Sequence, residues 1–228
     1  MGFDIDHRVP RETATPSHLY PVVLDLRHQP CLVVGGGRIA ARKVAGLAGS
    51  GAAVTVVAPR IDPVIDSLAE TATAGLRLER RRYRAGEAAA YQLVLSATGV
   101  PPVDRAVAED AAAAGRFVNV ADDPEHCSFL LPAIHRIGRV SVAVSTEGAS
   151  PALAGWLRKR LAAACGTELG QLADLLADAR RRLRAAGRAT ESVDWGALLD
   201  GPLPGLVATG RLGEASALVD EALRAGPP

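Results

Sequence analysis

A chain of 228 residues can hold one full domain and a smaller second one, with room for a sizeable core. Its 48% apolar and 22% charged composition is that of a globular protein, and a net charge of +1 excludes a general nucleic-acid binder, which would be strongly basic. Cys31, Cys127 and Cys165 are odd in number and far apart, which suits a reducing cytoplasm without a disulfide framework, and no apolar run reaches the length of a membrane span.

Met1 to Ser17 is polar, lacks the apolar centre of a signal peptide and reads as a mobile arm (1–17). Tyr20 to Leu26 looks like a short segment beside the first strand. That strand, Cys31-Leu-Val-Val34, is a continuous apolar run, as in a strand buried on both faces of a parallel sheet. Gly35, Gly36 and Gly37 follow, and then Ala40, Val44, Leu47 and Ala48 recur at helical spacing. Strand, glycine turn and helix make the dinucleotide-binding fingerprint, here Gly35-x-Gly37-x-x-Ala40. Gly35 permits the tight turn, Gly37 lets the backbone approach a pyrophosphate, and Ala40 is small enough for helix and sheet to pack. The helix N-terminus then turns free N–H groups and a positive dipole end towards the phosphates.

Ala53 to Val57 is a second strand, completing a βαβ unit. At its end an NAD site usually carries an acid for the adenine ribose, but here the chain reads Ala58-Pro59-Arg60 with no acid before Asp62. Arg60 suits a 2′-phosphate or the adenine ring, so these residues leave NAD against NADP open. Ile61 to Thr73 reads as a helix and Leu76 to Tyr83 as a third strand, its arginine run a solvated edge. Leu93 to Ala97 is a fourth strand. Thr98 at its end either touches the nicotinamide half or caps the helix Val103 to Ala114. Phe117 to Val120 is a fifth strand. Ser128 to His135 and Arg139 to Ser145 then pair as an antiparallel hairpin through Gly138. Ser150 caps a helix over Pro151 to Ala164, and helices follow over Leu169 to Ala186, Ser192 to Leu199 and Leu212 to Ala225. The fold class is α/β: a Rossmann-type doubly wound parallel sheet (18–125), a hairpin-plus-helix region (126–165) and a small all-helical domain (166–228).

Two stretches carry candidate chemistry. Asp122 lies just past the fifth strand, where a carboxylate can accept a proton as a hydride leaves a substrate; it reads equally as a turn residue before Pro124. Ser145, Gly148 and Ser150 precede a helix start and form either a carboxylate nest or an ordinary cap. His126, Cys127 and His135 match no common zinc spacing, so no permanent metal site is expected. All but two of the 26 basic residues are arginine, which fits a GC-rich coding sequence or guanidinium recognition of carboxylates.

Taken together, Tyr20-Pro21, Cys31-Leu-Val-Val-Gly-Gly-Gly-Arg-Ile-Ala40 with Arg42-Lys43, Val57-Ala-Pro59 and Ala97-Thr98 form a recognisable series. It continues through Asn119-Val-x-Asp122, Ser128-Phe129 with Pro132, and Ser145-x-x-Gly148-x-Ser150-Pro151. The chain resembles the sirohaem-synthase family of precorrin-2 dehydrogenases, including members that are also sirohydrochlorin ferrochelatases, here without a methyltransferase half. The resemblance implies NAD as cofactor, with contacts from Gly35, Gly36, Gly37, Arg38, Ile39, Pro59, Arg60 and Thr98. It implies Asp122 as the catalytic aspartate for dehydrogenation and for insertion of ferrous iron, a substrate. It puts the substrates, precorrin-2 and sirohydrochlorin, at Asn119, Ser128, Ser145, Gly148 and Ser150, and implies a cytoplasmic homodimer joined through the hairpin and helical region. Two departures stand out: Gly99-Val100 where relatives often have acidic residues, and Thr146 where some have serine. The alternatives are a dehydrogenase without chelatase activity and a non-catalytic NAD(H)-binding regulator.

Overall fold

The computed structural model describes residues 19–72 and 75–225; the expected arm at 1–17 and the end of the expected helix at Thr73 lie outside them. Chain contacts divide into two compact units, the boundary falling between Leu131 and Pro132.

The first unit is built on five parallel strands, β1 (Pro30–Val34), β2 (Ala53–Val57), β3 (Leu76–Glu79), β4 (Leu93–Ser96) and β5 (Phe117–Val120), in the order β3-β2-β1-β4-β5. Helices α1 (Arg38–Ala48), α2 (Pro63–Thr71) and α3 (Pro101–Ala113) make the crossovers. Alternate residues of one apolar strand serve opposite faces. Cys31 and Val33 pack with Val44, Leu47, Val54, Val56 and Ile65 on the α1/α2 side. Leu32 and Val34 pack with Val94, Val107, Ala111 and Val118 on the α3 side. Strand order reverses beside β1, because β2 lies on one side of it and β4 on the other. In a sheet of this kind the loops leaving that point diverge and leave a crevice at the carboxyl ends of the strands.

The sequence pattern overstates two strands. β3 stops at Glu79 rather than Tyr83, because the Arg81 guanidinium seats between Glu79 and Glu87 and bends the chain off the sheet edge. Tyr20 to Leu26 joins no strand. The first hairpin strand begins at Ala133, not Ser128, since Pro132 has no N–H to give a ladder.

The second unit holds the hairpin β6 (Ala133–Ile137) and β7 (Val140–Val144), with α4 (Pro151–Ala164) packed against both strands. Gly138, at φ +55°, turns the hairpin against Gly170 of α5 (Glu168–Ala185): a Cβ on Gly138 would lie 3.2 Å from the Gly170 Cα. Helices α5, α6 (Trp195–Asp200), α7 (Leu203–Ala208) and α8 (Leu212–Ala225) close a separate core around Leu172, Leu183, Leu203, Val207 and Val219. Helix α7 is absent from the sequence reading, for two prolines and a glycine within a few residues mask its short apolar pattern.

Inside the first unit the buried Asp104 of α3 accepts from the Ser96 hydroxyl at 2.5 Å and the Thr98 N–H at 3.2 Å, tying α3 to the end of β4. Asp104→Ala leaves both donors buried without an acceptor. It is expected to lower the unfolding free energy by about 2 kcal/mol in urea melts followed by circular dichroism.

Candidate functional site

Five parallel strands end on one edge of the sheet, and most of the residues singled out from the sequence gather there. Gly35 leaves β1 at φ +122°, a backbone region L side chains rarely adopt. A Cβ there would run into the Ala97 carbonyl at the end of β4. Gly36 is as tightly placed, against the Arg60 carbonyl, and its own oxygen accepts from the Asp62 N–H at 2.8 Å. Both glycines are thus demanded by the protein's own backbone.

Gly37 is different. It is exposed, its backbone is extended, and among the described residues nothing beyond its own chain neighbours and helix backbone lies within 4 Å of where its Cβ would be. Packing therefore gives no reason for glycine at this position; close approach of a ligand does. Gly37 is also the N-cap of α1, with no side-chain cap and no acidic residue in the first turn. The opening N–H groups and the dipole end of α1 are left to solvent or an anion, flanked by the exposed Arg38 and Ile39. An open, uncapped helix start behind a glycine turn fits the pyrophosphate of a dinucleotide.

At the end of β2, Pro59 and Arg60 are exposed and border the same turn. Asp62, the first acid after that strand, caps α2 by accepting from the Val64 N–H at 3.0 Å. Among the described residues no carboxylate pairs with Arg60. Thr98 flanks Gly35 across the turn, and its hydroxyl accepts from the Val100 N–H at 3.0 Å, bracing the start of α3.

The end of β5 supplies the acid. Asp122 is exposed, at φ +61°, in the left-handed conformation that aspartate tolerates better than most residues but still at some cost. Its carboxylate makes no hydrogen bond or ion pair among the described residues. The turn around it is pinned elsewhere: the Ala121 N–H donates to the Ser96 carbonyl at 2.9 Å. Cys127 Sγ accepts from the Val120 N–H at 3.1 Å and donates to the Asp123 carbonyl at 3.2 Å. Asp123 is occupied by His126 at 2.8 Å, a hydrogen bond that holds its carboxyl below the usual range. Burial pushes the Cys127 thiol up, so it stays a thiol and serves as a clamp.

Asn119 and Ser128 are engaged within the fold. The Ser128 hydroxyl accepts from the Val118 N–H at 2.8 Å, completing the outer edge of β5 where no strand follows. Asn119, buried, donates to the Phe129 carbonyl at 3.1 Å and accepts from Lys43 Nζ at 2.7 Å. Lys43 enters the sequence reading only as part of a family motif and has no role there. The signal available was its rarity: one of two lysines in a chain otherwise using arginine, set on the fingerprint helix. Burial lowers its pKa, the Asp122 carboxylate opposes that, and Arg42 lowers it further.

Ser145, Gly148 and Ser150 belong to the second unit. There Ser145 Oγ accepts from the Glu147 N–H at 3.2 Å and Ser150 Oγ from the Leu153 N–H at 3.2 Å. Thr146 Oγ1 accepts from the Ser150 N–H at 3.1 Å. Glu147 at φ +54° and Gly148 at φ +84° complete a tight turn in front of α4.

Comparison with known proteins agrees with this geometry. A family model described as NAD(P)-binding matches residues 22–133, and the model for the central part of a sirohaem biosynthesis protein matches 138–164. The first unit is thus a Rossmann-type domain of the NAD(P)-binding class, made for a nicotinamide dinucleotide. The siroheme synthase of Methylococcus capsulatus is 42% identical over 205 residues, 89% of this chain and 43% of the relative. That of Nitrosococcus oceani is 37% identical over 209 residues, 90% of this chain and 44% of the relative. A solved structure, SirC, a precorrin-2 dehydrogenase, superposes with a TM-score of 0.69 at 27% identity, covering 89% of this chain and 100% of its own. The chain is similar to the siroheme synthases along about nine-tenths of its own length, and it spans less than half the length of the curated relatives it matches.

The contrast between the glycines gives a direct test. Gly37→Val is expected to leave thermal unfolding essentially unchanged while weakening NADH binding at least tenfold, read by fluorescence titration. Gly35→Val, driven into the Ala97 carbonyl, is expected to destabilise the unit itself.

Proposed function

We propose that this chain oxidises precorrin-2 to sirohydrochlorin with NAD⁺, and that the same site assists insertion of ferrous iron to give sirohaem. The observation that carries the reading is the placing of an unpartnered carboxylate, Asp122, on the edge of the sheet that carries the uncapped helix start. Support comes from the siroheme synthases and the precorrin-2 dehydrogenase to which the chain is similar.

The reaction removes one hydride and one proton from the macrocycle. NAD⁺, when bound, supplies the hydride acceptor. The N–H groups at Gly37, Arg38 and Ile39 hold the pyrophosphate, and Pro59 and Arg60 border the adenosine half. The exposed Asp122 takes the proton, since a free carboxylate turned to solvent needs no partner displaced before it can act as a base. Iron insertion requires two pyrrole N–H protons to depart, and the same carboxylate receives them in turn. Arg38 and Arg60 offer guanidinium forks for the carboxylates of the substrate. NAD⁺ rather than NADP⁺ is the reading carried by the family resemblance, and the free cysteines suit a cytoplasmic setting.

We further propose a homodimer built on the second unit. No residue of β6 or β7 is fully buried, and an isolated two-stranded sheet is marginal in water. Ile134, Leu153, Trp156 and Leu161 stay substantially exposed on the hairpin and α4. Trp156→Glu is expected to shift the sedimentation coefficient from dimer to monomer; an unchanged dimer rules out this face.

The function is tested by mixing the protein with precorrin-2 and NAD⁺ and following NADH absorbance, then supplying sirohydrochlorin and Fe²⁺ without NAD⁺. Turnover in the first assay with none in the second identifies a dehydrogenase alone, and NADH binding without any turnover identifies a regulator. Asp122→Ala is expected to lower the dehydrogenase rate about a hundredfold and to suppress iron insertion. Wild-type rates in that variant refute the assignment.

A further inference from the structure

One charged side chain of the first unit is tied into the site without belonging to the glycine turn or the acid. Lys43 sits in the second turn of α1, half-buried, with its ammonium 2.7 Å from Asn119 Oδ1. Asn119 is the third residue of β5, and its amide nitrogen donates to the Phe129 carbonyl at 3.1 Å and lies 3.5 Å from Cys127 Sγ. Cys127 in turn holds the Val120 N–H and the Asp123 carbonyl, the two ends of the turn that carries Asp122. Helix α1 and the Asp122 turn are far apart in sequence and separated in the sheet by β4, yet this chain of polar contacts joins them directly.

The residue type is itself informative. Arginine supplies all but two of the basic residues, so a lysine on the fingerprint helix is a departure from the chain's habit. A guanidinium is a rigid planar fork suited to a carboxylate or phosphate, whereas an ammonium is a compact charge on a flexible stem, able to reach a single amide oxygen in a narrow seat. The charged neighbours of Lys43 are Arg42 from α1 and Asp122 from the turn.

We propose that Lys43 is a positioning residue: through Asn119 it latches the loop 119–129 to the nucleotide-binding helix and so holds Asp122 in register with the bound dinucleotide. Its direct contact is Asn119, and it acts on the reaction only through that partner. This inference rests on the function proposed above, and its test is chosen to separate the two.

The variants are Lys43→Met, Lys43→Arg, Asn119→Ala and the double variant Lys43→Met/Asn119→Ala. The first readout is amide hydrogen exchange in the full chain without substrate. Lys43→Met is expected to speed exchange across the Asp122 turn about tenfold, while β1 and the body of α1 keep wild-type protection. Unchanged exchange in the turn, or a rise spread evenly over the unit, overturns the latch whatever the enzyme does. The second readout is turnover of precorrin-2. Lys43→Met is expected to lower kcat about tenfold with KM for NAD⁺ within twofold, Lys43→Arg to recover little of that loss because its planar fork does not fit the seat of the ammonium, and the double variant to be no slower than Lys43→Met. A loss in KM for NAD⁺ alone, or additive losses in the double variant, overturns it. If Lys43→Met fails to fold, Lys43→Arg and Asn119→Ala carry the same exchange test. A wild-type protein with no turnover, but with the exchange pattern as expected, overturns the proposed function and leaves the latch standing.

Discussion

The first unit depends on how closely three stretches of main chain approach one another at the switch point of the sheet. Gly35 lies against the Ala97 carbonyl and Gly36 against the Arg60 carbonyl, so the ends of β1, β2 and β4 meet with no side chain between them. Backbone-to-backbone contact at this range leaves no room to repack, because a carbonyl held in a strand end has no rotamer to change. The consequence is local and chemical. With the turn drawn tight, α1 begins immediately behind it, uncapped, and its positive end faces outward.

The other half of the site obeys a different rule. At the end of β5 the main chain has no neighbouring strand on its outer side, and side chains stand in for one. The Ser128 hydroxyl replaces a carbonyl as acceptor for Val118, and the Cys127 thiol does the same for Val120. Among the described residues no buried side-chain oxygen or nitrogen is left without a partner. Asp122 in this turn has positive φ, is exposed and, among the described residues, makes no side-chain hydrogen bond or ion pair. Backbone cost at an exposed carboxylate beside the glycine turn is what the proposed function draws on.

The second unit has its own balance. Helices α5 to α8 enclose a core of leucines and valines, whereas the hairpin and α4 bury almost nothing beyond Ala154. Those exposed apolar side chains are the ground on which the homodimer is proposed. The serines and threonine before α4, which read from the sequence as either a nest for carboxylates or an ordinary helix cap, spend their hydroxyl oxygens on backbone N–H groups of their own turn. A role for that turn in substrate binding rests on the family resemblance.

Much of this was legible in the order of residues. Continuous apolar runs at Cys31–Val34 and Leu93–Ser96 announced buried parallel strands, because only a strand covered on both faces needs such a run. The glycine turn was legible for the same reason that it matters, since no other residue satisfies the backbone there. What the sequence by itself determined is most of the elements, a parallel sheet and the presence of a dinucleotide turn, all consequences of local pattern and of the rule that such crossovers pack on a sheet. Tertiary structure alone decided the roles of polar side chains whose partners are remote in sequence. Thr98 braces α3, Asp62 caps α2, Ser128 closes an edge, and Lys43 reaches Asn119 across 76 positions. The physical reason is that periodicity records which face a residue occupies, while a hydrogen bond depends on what the fold has placed within 3 Å or so of that face.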